Sequence, residues 1–353
     1  MSDPTWLLYG ANGFTGELLA KEAVHRGHRP TLAGRSREKL EPLARSLGLP
    51  FAVAPLDDPA ALKRAVDGHA LVLHAAGPFV HTALPMLRAC LDAKAHCLDI
   101  TGEVPVFEQS FAHDAEAKAA GIAVISGVGF DVVPTDCLAV HVAEKLEAPT
   151  ELELAISTHG RPSGGTLRSS IEALPRGGFV RRDGTLRSWP LGKGAVSLRF
   201  PHGLKRAVPI PWGDLVTAFH STGIPNITTY LTLPPSQVRM LQVFGRAIPT
   251  LLASDWLRSR ALRRVEQAGS GPDDAARDAG RAFIWARARN AKNVYAEAWL
   301  ETVDGYDFTA LAGIRAVEQT LARSPKGALT PAQAFGKDFV LEIPGTRRMD
   351  TLS

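Results

Sequence analysis

Cysteine is scarce in this chain. Three stand among 353 residues, Cys90, Cys97 and Cys137, and no two have C-x-x-C spacing. That excludes a disulfide framework and the common zinc motifs, and it points to a reducing compartment. The scattered histidines give no metal-ligand pattern, and no metal is expected. Long apolar runs are missing too. None approaches the roughly 20 residues of a membrane span. The opening Met1-Ser2-Asp3-Pro4-Thr5 has neither a basic n-region nor an apolar h-region, so a cytoplasmic location is expected. A bias to one charge is also lacking: 40 basic residues meet 36 acidic ones, a formal +4. Nucleic acid is therefore not an expected partner, and the local distribution of charge matters more than its total.

What is present begins with a short apolar run, Trp6-Leu7-Leu8-Tyr9, that stops at Gly10. Such a run reads as a buried parallel strand. The segment Gly10-Ala11-Asn12-Gly13-Phe14-Thr15-Gly16 follows, and Leu18, Leu19 and Ala23 then recur on one helical face up to Gly27. Three glycines spaced in this way serve a tight turn, a close backbone approach to a pyrophosphate, and a close packing of helix on strand. The phosphates would lie at the positive end of the helix. A bare glycine triplet is weak; here the flanking strand and helix supply the context that makes it a dinucleotide cradle.

Further strands are expected at 30–33, 51–54, 70–74, 97–100 and 121–125, with helices between them. One helix starts after Ser36 with Leu40, Leu43 and Leu47 on a face and Pro42 as an awkward guest; another has Asp58 as N-cap and Pro59 in its first turn. Alternation of this kind gives a parallel, doubly wound sheet of Rossmann type. The second strand ends in Gly34-Arg35-Ser36, with no acid for a ribose 2′-hydroxyl. A guanidinium and a hydroxyl suit a 2′-phosphate, so the expected cofactor is NADP(H) rather than NAD. Asp57, Ala76-Gly77-Pro78-Phe79 and Thr101-Gly102 follow the third, fourth and fifth strands and complete the expected cofactor set.

From residue 150 on, the pattern changes. Alternating segments at 151–156, 195–200, 227–233, 283–289 and 294–300 follow one another without regular helices, which suggests a mainly antiparallel sheet. The expected division is a nucleotide domain at 1–140, completed by 305–353 after a helix at 308–322, and an α+β domain at 141–304. Two stretches are basic. The first, 176–206, has Asp183 as its single acid; the second, 237–265, sets Val238, Leu241, Phe244, Ile248, Leu251, Leu252 and Trp256 at helix-like spacing among arginines. The second is read first as a core-facing helix with a solvated basic side. A lid, a docking face for an acidic carrier, or a membrane-surface helix are its alternatives.

These segments together resemble the saccharopine dehydrogenase-like oxidoreductases, and within them the bacterial trans-acting enoyl reductase branch. The resemblance rests on 10–16, Ala33-Gly34-Arg35-Ser36, Gly77-Pro78-Phe79, Asp99-Ile100-Thr101-Gly102-Glu103 and Gly129-Phe130-Asp131. It continues through Gly164-Gly165-Thr166 with Ser169, Pro211-Trp212-Gly213-Asp214, Thr222-Gly223-Ile224-Pro225-Asn226, and Gly305-Tyr306 with Thr309-Ala310, nearly the whole chain. It implies a nucleotide domain completed by C-terminal segments and an inserted sheet domain over the active site. It does not fix the reaction.

Hydride transfer asks little of a protein beyond positioning and a proton donor. No Tyr here is followed four residues later by Lys, which argues against the short-chain dehydrogenase mechanism. Candidate donors are Glu103, Asp131, Thr166, His220 and Tyr230. For Glu103 and Asp131 a helix cap or loop hydrogen bond is an equal alternative. The expected activity is reduction of an enoyl substrate, either a small molecule or one linked to an acyl carrier. A C–N oxidoreductase on an amino acid and a non-catalytic NADP-binding protein are the alternatives. A homodimer is an open alternative; a peripheral membrane contact is not favoured.

Overall fold

In the computed structural model, which describes residues 5–158, 163–267 and 274–352, six parallel strands form the first sheet. They are β1 (Trp6–Tyr9), β2 (Thr31–Gly34), β3 (Phe51–Val53), β4 (Leu71–His74), β5 (His96–Asp99) and β6 (Ala123–Ile125). Their spatial order is β3-β2-β1-β4-β5-β6, with the short strand Gly327–Ala328 beyond β6. Every residue of β1 and β4 is buried, the mark of strands covered on both faces. The order reverses between β1 and β4, which is where open α/β sheets form a ligand crevice.

Helices α1 (Phe14–His25), α2 (Arg37–Leu47), α3 (Pro59–Val66), α4 (Phe79–Ala93) and α5 (Val104–Ala112) follow β1 to β5 in turn. The α3 start is as the residues predict: Asp58 accepts the Ala61 amide at 2.9 Å, with Pro59 in the first turn. In α2, Pro42 stands inside the helix at an exposed position, and the buried face is Leu40 with Ala44; Leu43 and Leu47 are only half-buried. The long helix Gly305–Arg323 belongs with this sheet and lies on α1, since a Cβ at Gly313 would meet Leu19 at 2.8 Å.

Two compact units result, Met1–Val133 with Tyr306–Phe339, and Pro134–Gly305 with Val340–Ser353. The tail was expected to return whole to the first unit. It does so only to Phe339; beyond that, Arg347–Met349 pairs with Tyr295–Val303 in the second sheet.

That second sheet runs Val196–Phe200, Gly203–Pro209, Asn226–Thr232, Pro149–Thr158, Arg281–Asn290, Tyr295–Val303, Arg347–Met349. All these neighbours are antiparallel except Asn226–Thr232 and Pro149–Thr158, which run parallel. The hairpin Gly178–Arg182 and Thr185–Trp189 attaches to Asn226–Thr232. It lies within the first basic stretch, where only a strand at 195–200 was expected. Tyr230, Trp285 and Trp299 pack with Ala155, Leu198, Phe200 and Ala207 into a cluster on this sheet.

The expectation for 237–265 is overturned. Three helices, Pro235–Phe244, Ile248–Leu252 and Asp255–Gln267, cover it. Of the seven apolar positions only Val238 is buried, while Phe244, Leu251 and Trp256 are exposed. The side chains of Arg264 and Val265 lie outside the described residues. No helix among the described residues is long and apolar enough to cross a membrane.

Candidate nucleotide site

The glycine loop is built by close approaches. Gly10 has φ +83°, a region that L side chains avoid, and a Cβ there would meet the Ala76 amide at 2.7 Å. The loop after β1 is thereby set against the loop after β4. At Gly16 a Cβ would run into the Gly10 carbonyl, so α1 enters tightly against its own strand. Gly34 lies under the Asn12 side chain, where a Cβ would come to 2.8 Å from Oδ1. The tip of β2 thus joins the same cluster.

Gly13 differs from these. A Cβ there would meet only the Gly10 carbonyl at 3.3 Å, and nothing else within 4 Å. Packing asks less for glycine here than at Gly10 or Gly16, because this tight contact is relieved by a shift of a few tenths of an ångström. Gly13 is also the N-cap of α1, and no side chain caps the helix. An uncapped helix start beside a position without a side chain fits a pyrophosphate, which would accept first-turn amides and sit at the positive end of the dipole.

At the tip of β2, Arg35 is exposed and Ser36 is half-buried. The Ser36 hydroxyl donates to Glu38 Oε2 at 3.0 Å, an acid that reading Gly34-Arg35-Ser36 alone leaves out of account. Arg35 and, two residues on, Arg37 are exposed cations there. Asp57 is exposed beyond β3, and it and Arg35 both act electrostatically on Tyr9. The Tyr9 hydroxyl donates to the Ala54 carbonyl at 2.8 Å, and burial pushes it up to about 12.

The tips of β4, β5 and β6 are tied together by carboxylates. Glu103 accepts the Phe79 amide at 3.0 Å and the Val80 amide at 2.8 Å, one on each oxygen. It therefore holds the first turn of α4, immediately after the cis Gly77–Pro78 bond. Asp99 accepts the amides of Thr101 at 2.9 Å and Gly127 at 3.1 Å, and the Ser126 hydroxyl at 2.7 Å. Burial pushes Asp99 up to about 6, against those hydrogen bonds. Asp131 rests on Gly102, where a Cβ would lie 2.7 Å from its Oδ2. Burial, and then the charge of Glu103, push its carboxyl up to about 6.

His74 ends β4 in the same neighbourhood. Its Nε2 lies 2.9 Å from the Thr82 hydroxyl, which itself donates to the Ala76 carbonyl at 2.7 Å. Nε2 is therefore the protonated nitrogen, an assignment made from the network. Burial pushes the imidazole down to about 3, so it is neutral. The chain Ala76–Thr82–His74 steadies the loop at 76–78.

Two contributors come from far along the chain. Tyr306 meets the Phe14 ring edge to face at 5.1 Å, and the Thr309 hydroxyl accepts the Phe130 amide at 3.0 Å. Tyr306 and Thr309 belong to the family resemblance, but nothing in their sequence spacing places them beside the glycine loop and the Gly129-Phe130 turn. Glu103 as the cap of a helix 24 residues earlier was equally invisible.

The other candidate donors belong to the second unit. His220 is exposed on the helix Asp214–Thr222. The Tyr230 hydroxyl donates to Glu153 at 3.2 Å, and burial raises its pKa well above the usual phenol range. Glu153 is itself held by Arg287 through Nε at 3.0 Å and a terminal nitrogen at 2.6 Å. The Thr166 side chain lies outside the described residues. A cavity of about 450 Å³ opens on the second sheet beside Trp285 and Trp299, lined also by Arg199, Arg287, Glu297 and Asp350.

Comparison with known proteins agrees with this geometry. Residues 6–125 match the family described as the saccharopine dehydrogenase NADP binding domain. The saccharopine dehydrogenase-like oxidoreductase of Homo sapiens is 29% identical over 191 residues, 47% of this chain and 44% of that protein. The chain thus matches less than half the length of that relative. The trans-acting enoyl reductase of Mycobacterium tuberculosis is 25% identical over 397 residues, 96% of this chain and 95% of that protein. Among solved structures, the apo histidine-tagged saccharopine dehydrogenase (L-Glu forming) from Saccharomyces cerevisiae aligns over 96% of each chain. Its TM-score of 0.66 at 13% identity shows a shared fold.

Proposed function

We propose that this NADP-dependent oxidoreductase, whose residues 6–125 match the saccharopine dehydrogenase NADP binding domain, reduces the C=C bond of an enoyl acyl substrate, free or carried on an acyl carrier. The observation that carries this reading is the similarity to a trans-acting enoyl reductase along 96% of the chain. NADPH, when bound, supplies the hydride. The residues around it supply the rest. Gly13 and the start of α1 would hold the pyrophosphate, and Arg35 would hold the 2′-phosphate. The loops at 76–79 and 101–102 would border the nicotinamide half. Reduction at the carbon β to the carbonyl would leave the α carbon in need of a proton. Asp131 is the donor we assign, since its carboxyl, pushed up to about 6, keeps a proton into mildly acidic solution. Glu103 positions rather than donates, because both its oxygens accept α4 amides.

One observation favours a second reading, a C–N oxidoreductase on an amino acid. The cavity on the second sheet carries both signs of charge, as a zwitterion would need. It ranks second because those charges already answer one another: Arg287 is paired with Glu153, and Asp350 with Lys145 and His141. The test is NADPH oxidation, followed by absorbance, with enoyl thioesters and with oxo acid–amine pairs. Turnover of the thioesters alone is the expected result. Turnover of the oxo acid–amine pairs alone would replace the first reading with the second.

A further inference from the structure

Ten large apolar side chains are exposed among the described residues, and five of them fall between residues 240 and 256: Met240, Val243, Phe244, Leu251 and Trp256. Phe244 is 60% exposed, Trp256 64% and Val243 71%. On the helix Pro235–Phe244 the positions 240, 243 and 244 share one face, while Val238 points inward and is buried. A solvent-facing helix surface ordinarily carries polar residues there. Here Met240, Val243 and Phe244 stand exposed together beside the polar Ser236, Gln237, Arg239 and Gln242, and Leu251 and Trp256 add exposed apolar groups in the next two helices.

Charge accompanies it. From 235 to 267 there are six arginines against two acids, and no lysine. Arg239, Arg246, Arg260 and Arg263 are exposed. Arg260 lies over the Trp256 ring at 5.6 Å, which puts a cation beside the largest exposed aromatic.

We propose that the outer face of the helices Pro235–Phe244, Ile248–Leu252 and Asp255–Gln267 is a membrane-surface contact that docks on bilayers rich in anionic lipid. Three features favour a bilayer over an acidic protein. The apolar groups are bulky and are interleaved along the chain with arginines, the composition of a helix lying at a headgroup–acyl boundary. A tryptophan paired with a cation is suited to the headgroup level. The helices are 10, 5 and 13 residues long, and none can span, so the contact is interfacial. Arginines attract anionic headgroups, and the apolar side chains enter the boundary once there. The proposal is independent of which substrate is reduced.

The test is flotation of the full chain with vesicles of phosphatidylcholine alone and of phosphatidylcholine with phosphatidylglycerol. Binding is expected only to the anionic vesicles, weakening as salt is added. F244S/W256S should lower the partition coefficient by roughly tenfold or more through lost apolar burial. R239E/R246E should do the same through charge. Both variants should keep the circular dichroism and NADPH affinity of the parent, since neither touches the nucleotide site. The proposal is overturned if the chain ignores anionic vesicles, or binds neutral ones equally. It is overturned too if F244S/W256S binds like the parent, which would leave only an electrostatic patch for an acidic protein. Self-association in vesicle-free solution that is lost in F244S/W256S would assign the face to a contact between two copies instead.

Discussion

The strand tips of the first unit and the sheet face of the second both carry partly buried charge, and they hold it differently. At the tips, carboxylates hold backbone: Glu103 takes two amides of α4, and Asp99 takes those of Thr101 and Gly127. On the second sheet, carboxylates hold cations: Glu153 with Arg287, and Glu301 with Arg347. Amide-held carboxylates fix the course of loops, whereas paired ones mainly fix side chains. Damage at the tips should therefore appear in ligand binding and turnover, and damage on the sheet should appear in melting.

The sharpest way to break that comparison uses two glycines of one loop. Gly16→Val should destabilise the first unit by about 3 kcal/mol, because the new side chain meets the Gly10 carbonyl. Gly13→Val should lower melting much less than Gly16→Val, its Cβ meeting the Gly10 carbonyl at 3.3 Å against a direct clash at Gly16, and should abolish NADPH binding in calorimetry. Normal affinity in Gly13→Val would remove the phosphate cradle from this loop.

Next in size is Asp131→Asn. Loss of a general acid should lower kcat about a hundredfold or more with NADPH affinity retained. The parent's kcat should fall as pH rises through about 6, and the variant's should not. The sign for stability is the same. A carboxyl raised from 3.8 to about 6 contributes most below 3.8, and loses that contribution as pH rises through 6.

Arg35→Ala should weaken NADP by about 2 kcal/mol, the scale of a charge-assisted hydrogen bond, and leave NAD nearly unchanged. Calorimetry with both nucleotides separates the two. Glu38→Gln should tighten NADP slightly, because Glu38 sits on Ser36 beside the expected phosphate.

A paired charge in the first unit sharpens the rule further. Burial opposes ionisation of Glu318, yet hydrogen bonds from Arg26, Arg315 and His28 hold it down to about 2. Its contribution, on the order of 2 kcal/mol after solvent screening, is complete above 4.5 and is lost as pH falls through 2. Denaturant titrations of Glu318→Gln should lack that acid limb while NADPH affinity stays unchanged. Smallest is the exchange Glu103→Gln against Glu153→Gln, each costing about 1 kcal/mol of stability. Glu103→Gln should also raise KM for NADPH, and Glu153→Gln should not.

The first unit was the more legible in the sequence, and the reason is locality. A strand, a glycine turn and a helix read from consecutive residues, as in 6–25, and Asp58 caps a helix beginning next to it. Contacts made across many residues leave no such trace. Tyr306 beside Phe14, Thr309 on Phe130 and Glu103 on α4 needed the fold to be seen. In the second unit one hairpin has a local signal. Asp183-Gly184 joins Gly178–Arg182 to Thr185–Trp189, with φ of +49° and +72°, and an Asp-Gly pair between alternating residues is a hairpin signature. The helices at 235–267 show the opposite limit. Periodicity reveals that an apolar stripe exists, but what the stripe faces is decided by tertiary structure, and here much of it faces outward.

The most direct measurement of the central claim follows the hydride itself. An enoyl thioester is turned over with NADPH carrying deuterium at the transferable position, and the product is examined by mass spectrometry and NMR. The account predicts one deuterium on the carbon β to the carbonyl and a solvent-derived proton on the α carbon. Failure of deuterium to reach the thioester, with its appearance instead on the amine-bearing carbon of an oxo acid–amine pair, would contradict it.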